Sequence, residues 1–184
     1  GSGRSNLTQR TFNTTSITGA GSSAGNTFWN MTTGQTAFAY SGDSAKKGWY
    51  FDFPATGERL LQTPEFLSGS NVLQIKSTIP ASGGGVDSAT ESCSPSPTAA
   101  QSFLTLMGIE QGLKPVVQLL DANGDGVFNA AATNDNSVNR TTTSPEEIVL
   151  NAPGKKVRIG SDNKNRTVKD LPKPATTINW RQLQ

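Results

Sequence analysis

In Lys47-Gly-Trp-Tyr-Phe-Asp-Phe53, Trp49, Phe51 and Phe53 fall on every second residue, with Tyr50 and Asp52 between them. A repeat of two is the signature of a β-strand with one buried face. It recurs from Asn71 to Ile79, where Leu73, Ile75 and Ile79 alternate with Gln74 and Lys76, and again in Val157-Arg-Ile159. It also marks the end of the chain, where Ile178 and Trp180 are expected to be buried by strand pairing. No segment carries the three-to-four spacing of a convincing amphipathic helix. Turn-forming Gly, Pro, Asn and Asp separate the alternating stretches. The expected fold is all-β, with short antiparallel strands joined by long polar loops.

Less regular segments are assigned by context. Phe103 to Met107 is a compact apolar run, and the glycines at 108 and 112 favour a strand there over a short helix. Glu58 to Gln62 is read as the return strand after the Pro54–Gly57 turn, Val116 to Leu120 as another strand, and Glu146 to Leu150 as a further one. The long stretch from Pro80 to about Ala100 holds three consecutive glycines and Pro95 and Pro97, and reads as a loop.

The 184 residues suffice for one domain with its own core. Only 33% are hydrophobic and 16% charged, and Ser, Thr, Asn, Gly and Pro make up the difference. Gly1 to Gly3 read as a cloning remnant, leaving residues 4–184 as a single domain. A net charge of +2 is too small for a nucleic-acid footprint, and no apolar run is long enough to span a bilayer. With no histidine, the usual general base and zinc ligand are absent. Cys93 is the only cysteine: it pairs with a thiol outside this chain or stays unpaired.

The chemistry concentrates in Asp121-Ala-Asn-Gly-Asp-Gly-Val-Phe-Asn129. Oxygen-bearing side chains stand at positions 1, 3, 5 and 9, with glycine at 6, as in an EF-hand calcium loop. Asp121, Asn123 and Asp125 are the expected side-chain ligands. Val127 supplies its backbone carbonyl, and Asn129 acts directly or through water. Calcium is therefore the expected ion. Position 12 is Ala132 where an EF-hand has glutamate, so only two carboxylates remain, with Asp135 downstream as a further donor. Fewer charges point to an affinity near the weak end, ~10⁻⁴ to 10⁻³ M. The same residues also suit a metal-free turn, since Asn123-Gly124 is a good hairpin pair.

Four pieces in order then resemble one family: Lys47-Gly-Trp-Tyr-Phe-Asp-Phe-Pro-Ala-Thr-Gly-Glu-Arg59, Ser77-Thr-Ile-Pro80 followed by a cysteine, the Asp121–Asn129 loop, and the terminal Trp180-Arg-Gln-Leu183. Together they look like the C-terminal end of the PilY/PilC family of type IV pilus tip-associated proteins. The resemblance implies the C-terminal part of a β-propeller-like domain at a bacterial cell surface or pilus tip, secreted or associated with the outer membrane. It implies a calcium loop governing pilus extension and retraction, twitching motility and adhesion. Implied partners are minor pilins or other pilus subunits and a host or surface receptor. The family commonly has aspartate where this chain has Asn129.

Two rival readings differ in class. A dockerin-like protein-binding module would use the same loop, but would pair two loops, each followed by a helix. A carbohydrate-active enzyme fragment would need paired carboxylates such as Glu58 and Glu65. These are read as surface residues, with Glu58 bracing the turn beside Arg59, and no catalytic or cofactor-binding residue is expected. Trp29, Trp49, Tyr50 and Trp180 are read as core residues before a sugar platform.

Overall fold

Alternation becomes strand almost everywhere that it is clear. A computed structural model of the chain describes residues 3–81, 99–128 and 138–172. Its strands are β1 (Leu7–Arg10), β2 (Ile17–Thr18), β3 (Thr27–Asn30), β4 (Gly48–Phe51), β5 (Glu65–Phe66), β6 (Val72–Ile79), β7 (Gln101–Gly108), β8 (Val138–Thr143), β9 (Glu147–Ala152), β10 (Lys155–Gly160) and β11 (Asn165–Lys169). Among the described residues there is no α-helix, only two short 3₁₀ turns at Gly21–Ser23 and Leu67–Gly69. The expected all-β class is what forms, and 101–108 is strand. Cys93, Asn129, Ala132, Asp135, Ile178 and Trp180 lie outside the described residues.

A six-stranded antiparallel sheet in the order β2-β3-β8-β7-β6-β5 forms the middle layer. Its longest pairing runs from Val72 opposite Gly108 to Ile79 opposite Gln101. On one face Phe28, Val72, Leu104 and Leu106 meet Leu119, Leu120, Ala122 and Val168. Val168 lies on β11 of a three-stranded antiparallel sheet, β11-β10-β9, so that sheet covers this face. On the other face Met31, Ile75 and Met107 meet Phe12, Trp49, Phe51 and Phe53. Those aromatics belong to β4 and the segments flanking it and β1. Here β1 and β4 pair in parallel, the one departure from the expected antiparallel pairing among the described strands. With both faces covered, β7 buries Ser102 to Met107 without a break, which is why its sequence is an apolar run and not an alternation.

Three expectations fail for physical reasons. The polar face of β6 is not a free solvent face: Gln74 is buried and accepts from Arg158 on β10 at 2.6 Å, and Lys76, 32% exposed, pairs with Glu147 on β9 at 3.4 Å. The segment Glu58 to Gln62 is no strand. Only Arg59 bridges, to Thr78, while Leu60 and Leu61 remain exposed and Pro64 interrupts the run before β5. Val116 to Leu120 is no strand either. Val116 is 96% exposed, and only Leu120 bridges, to Val168.

Glu58 is not a surface carboxylate. It accepts a bond from the Ala55 N–H and so does brace its turn, but its ion-pair partner is Arg140 on β8, at 2.8 Å, not Arg59. The side chains are 0% and 2% exposed. Ser77 donates to the other Glu58 oxygen, Arg140 also donates to Thr105, and the guanidinium lies 4.2 Å from the Phe103 ring centre. Burial pulls the Arg140 pKa down from its ordinary value, and the Glu58 charge and hydrogen bond oppose that.

Candidate metal centre

The acidic loop is fastened on both sides before any ligand is considered. Leu119, Leu120 and Ala122 are buried in the core and fix the chain entering it. Along β11, the Lys169 N–H donates to the Leu119 carbonyl and the Asp121 N–H donates to the Thr167 carbonyl. Across the loop stands the 3₁₀ turn at Gly21–Ser23. Ala20 N–H donates to the Ala122 carbonyl, Ser22 donates to the Gly124 carbonyl through both its N–H and its hydroxyl, and the Ser23 hydroxyl donates to the Asp121 carbonyl at 2.6 Å. No sequence signal points to Ser22 and Ser23, about a hundred residues away from their acceptors.

Within the loop, the side chains curl back onto the backbone. Asp121 is 1% exposed, and its two carboxylate oxygens accept from the Gly124 N–H at 2.7 Å and the Gly126 N–H at 2.8 Å. The Asn123 side-chain oxygen accepts from the Asp125 N–H, and an Asp125 carboxylate oxygen accepts from the Val127 N–H. Asn123 also donates to the second Asp125 oxygen at 3.0 Å. These are successive Asx-type turns. Gly124 and Gly126 make them feasible with φ of +71° and +80°, a region that side chains rarely adopt. A Cβ on Gly124 would lie 2.3 Å from the Ala20 carbonyl oxygen and 2.4 Å from the Ser22 nitrogen, so the clamp itself excludes a side chain.

The structure therefore gathers Asp121, Asn123, Asp125 and Val127 on one short loop; Asn129 is beyond its described part. The donors are hard oxygens, suited to calcium or magnesium and not to zinc. Each carboxylate oxygen that accepts one hydrogen bond keeps a further lone pair. Asp121 is a buried carboxylate with no cationic side chain paired to it among the described residues. A buried charge without a counter-charge is costly, and a bound cation would offset it. The residues fit the ion in type and charge, with two carboxylates and no cluster of three acidic, cysteine or histidine side chains among the described residues. Lys155, at the start of β10, ends against Gly126, where a Cβ would meet its ammonium at 2.7 Å, and it is in none of the ion pairs among the described residues. Sequence spacing gives no hint of this neighbouring cation.

No protein-family model matches the sequence, and no curated protein matches it. Among solved structures, the crystal structure of the Pseudomonas aeruginosa PilY1 C-terminal domain is similar with a TM-score of 0.58 and 16% identity. The likeness covers 92% of this chain and 33% of that one, so the chain spans about a third of that structure's length. It shows the fold: the all-β, propeller-like architecture expected from the sequence is the one shared with the PilY1 C-terminal domain.

Proposed function

We propose that this chain is a calcium-binding, non-catalytic domain of a pilus-associated protein displayed at a bacterial cell surface. The observation that carries the reading is the buried Asp121 carboxylate, without a counter-charge in a loop of Asx-type turns, on a fold like that of the PilY1 C-terminal domain. Asp121, Asn123, Asp125 and the Val127 carbonyl would hold the ion, with Asn129 completing the set. Calcium supplies positive charge there and neutralises the two aspartates. The chain's own residues do the rest. Ser22 and Ser23 hold the loop to the N-terminal part of the chain, and Thr167 and Lys169 hold it to β11. Neutralising the loop stiffens all three segments together; losing the ion leaves Asp121 and Asp125 to repel and loosens them. Such a change in stiffness is a physical means for calcium to govern contacts with minor pilins, and through them pilus extension, retraction, twitching and adhesion.

The test is a thermal melt with calcium, magnesium or chelator, beside calorimetry. With Kd near 10⁻⁴ to 10⁻³ M, about 10 mM calcium stabilises the folded state by roughly 1.4–2.7 kcal/mol. For a chain of this size that is a rise of about 3–10 °C in Tm. Asp125→Ala removes most of the rise. An unchanged midpoint in the parent chain, with no heat of binding, would falsify the proposal.

A further inference from the structure

On the face of the central sheet turned away from the acidic loop lies a cleft of about 790 Å³. This is well inside the range of small-molecule sites, roughly 300–1,000 Å³. Its floor comes from β3, β7 and β8, where Trp29, Phe103 and Arg140 project from neighbouring strands, and Phe12 closes one side. Trp29 and Phe103 meet edge to face with ring centres 5.9 Å apart. The Arg140 guanidinium lies 5.6 Å from the Trp29 ring centre and 5.9 Å from that of Phe12. Its Nη atoms are used by Glu58 and Thr105, but its Nε–H has no acceptor among the described residues. Arg140 is 1% exposed and lines the cleft, so this donor borders the space. Around the rings stand groups that both donate and accept, among them Asn13, Gln101 and Thr142.

We propose that this cleft binds an uncharged saccharide, its apolar ring face on Trp29 and its hydroxyls on Asn13, Gln101 and the Arg140 Nε–H. Charge gives an acidic ligand little hold: Arg140 is already neutralised by Glu58, Asp52 at the rim pairs with Arg4, and Arg10, a lining cation with no carboxylate paired to it among the described residues, spends its donors on the Gln111 and Thr36 carbonyls. An extended peptide would need a free strand edge: β3, β7 and β8 are each paired on both sides and Thr11 and Asn13 are bonded to Thr32 and Asn30, so only the four-residue β1, paired with β4 alone, offers one, and a peptide probe tests it. A purely apolar ligand would leave the amides and hydroxyls of the lining desolvated without partners. Ring stacking together with paired amides and hydroxyls is what a sugar's two kinds of surface require. This site stands independently of the calcium reading.

Calorimetry and tryptophan fluorescence of the whole chain test it, with lactose, cellobiose, chitobiose and mannobiose as neutral probes. Sialyllactose serves as the acidic probe and an unrelated decapeptide as the peptide probe. At least one neutral disaccharide binds saturably at millimolar concentration, with or without chelator. Gln101→Ala, at an exposed position, weakens it about fivefold, the worth of one ordinary hydrogen bond. Trp29→Phe, which keeps a ring but shrinks the platform, weakens it by a similar factor, while exposed Gln62→Ala leaves it unchanged. The proposal is overturned if no neutral probe binds, if the acidic sugar or the peptide binds more tightly than any neutral one, or if Gln101→Ala and Trp29→Phe both bind as the parent does.

Discussion

Replacing Glu58 by alanine should be among the most damaging single changes in the molecule. The substitution leaves the Arg140 guanidinium, whose side chain is 2% exposed, with the Thr105 hydroxyl and three ring faces in place of a carboxylate at 2.8 Å. It also removes the acceptor for Ser77 and the brace on the Ala55 N–H. Breaking a buried pair by deleting one partner costs about 3–5 kcal/mol, because the surviving charge stays desolvated. Domains of this kind have roughly 5–15 kcal/mol of stability in all, so the loss is a large share of it. Urea unfolding followed by circular dichroism, with linear extrapolation, measures it. Arg140→Met should cost a similar amount. The double change Glu58→Ala/Arg140→Met, which leaves no unpaired charge, should cost well under the sum of the two, giving a coupling of at least about 2 kcal/mol. A cost below about 1 kcal/mol for Glu58→Ala, as for an exposed pair, would refute the reasoning. So would a double change equal to the sum of its parts.

Other parts of the structure carry further expected outcomes. Gly124→Ala should cost about 2–5 kcal/mol in the same unfolding assay, combining a left-handed backbone with contact against the Ala20 and Ser22 backbone. Gly34→Ala, also left-handed but with nothing within 4 Å, should cost only about 1–2 kcal/mol. Lys155→Met removes a cation beside the loop and should tighten calcium binding by roughly two- to fivefold, the worth of a screened charge, read by calorimetry. Glu147 is buried, which alone pushes its carboxyl up, but the Thr143 hydroxyl, Arg158 and Lys76 outweigh this and hold it below the ordinary value. Its folded pKa is thus lower than its unfolded one, so it stabilises above the unfolded value of about 4.3. That contribution is lost as pH falls through the folded value. Stability of Glu147→Gln, measured across the acid range, should fall less steeply with pH than the parent's.

The sequence made some of this visible and hid the rest for definite reasons. Trp49 to Phe53 was legible because a local repeat of two reports a face; at Val157 to Ile159 the repeat gave the strand but not the face, since Arg158 is buried against Gln74 and Glu147 while Val157 and Ile159 are half-buried. The glycines of the acidic loop were legible too, since its sharp turns need residues without a Cβ. Val116 and Leu60 misled because isolated apolar residues carry no period, and strand pairing depends on a neighbour that the sequence does not name. The burial of Gln74 was hidden because it depends on Arg158, 84 residues away, laying its guanidinium across it. Glu58 and Arg140, 82 residues apart, give no local sign of pairing. The same holds for the clamp on the acidic loop by Ser22 and Ser23, and for the cleft built from three strands.

That clamp has a kinetic consequence. Its walls come from residues 20–23, 119–126 and 165–169, so the loop cannot take its shape until segments from nearly the whole length of the chain have met. Closing such long loops is slow, and contacts of high sequence separation form late. Ion capture at Asp121 would then be a last event in maturation, and a calcium-sensitive signal during refolding would time the completion of the fold.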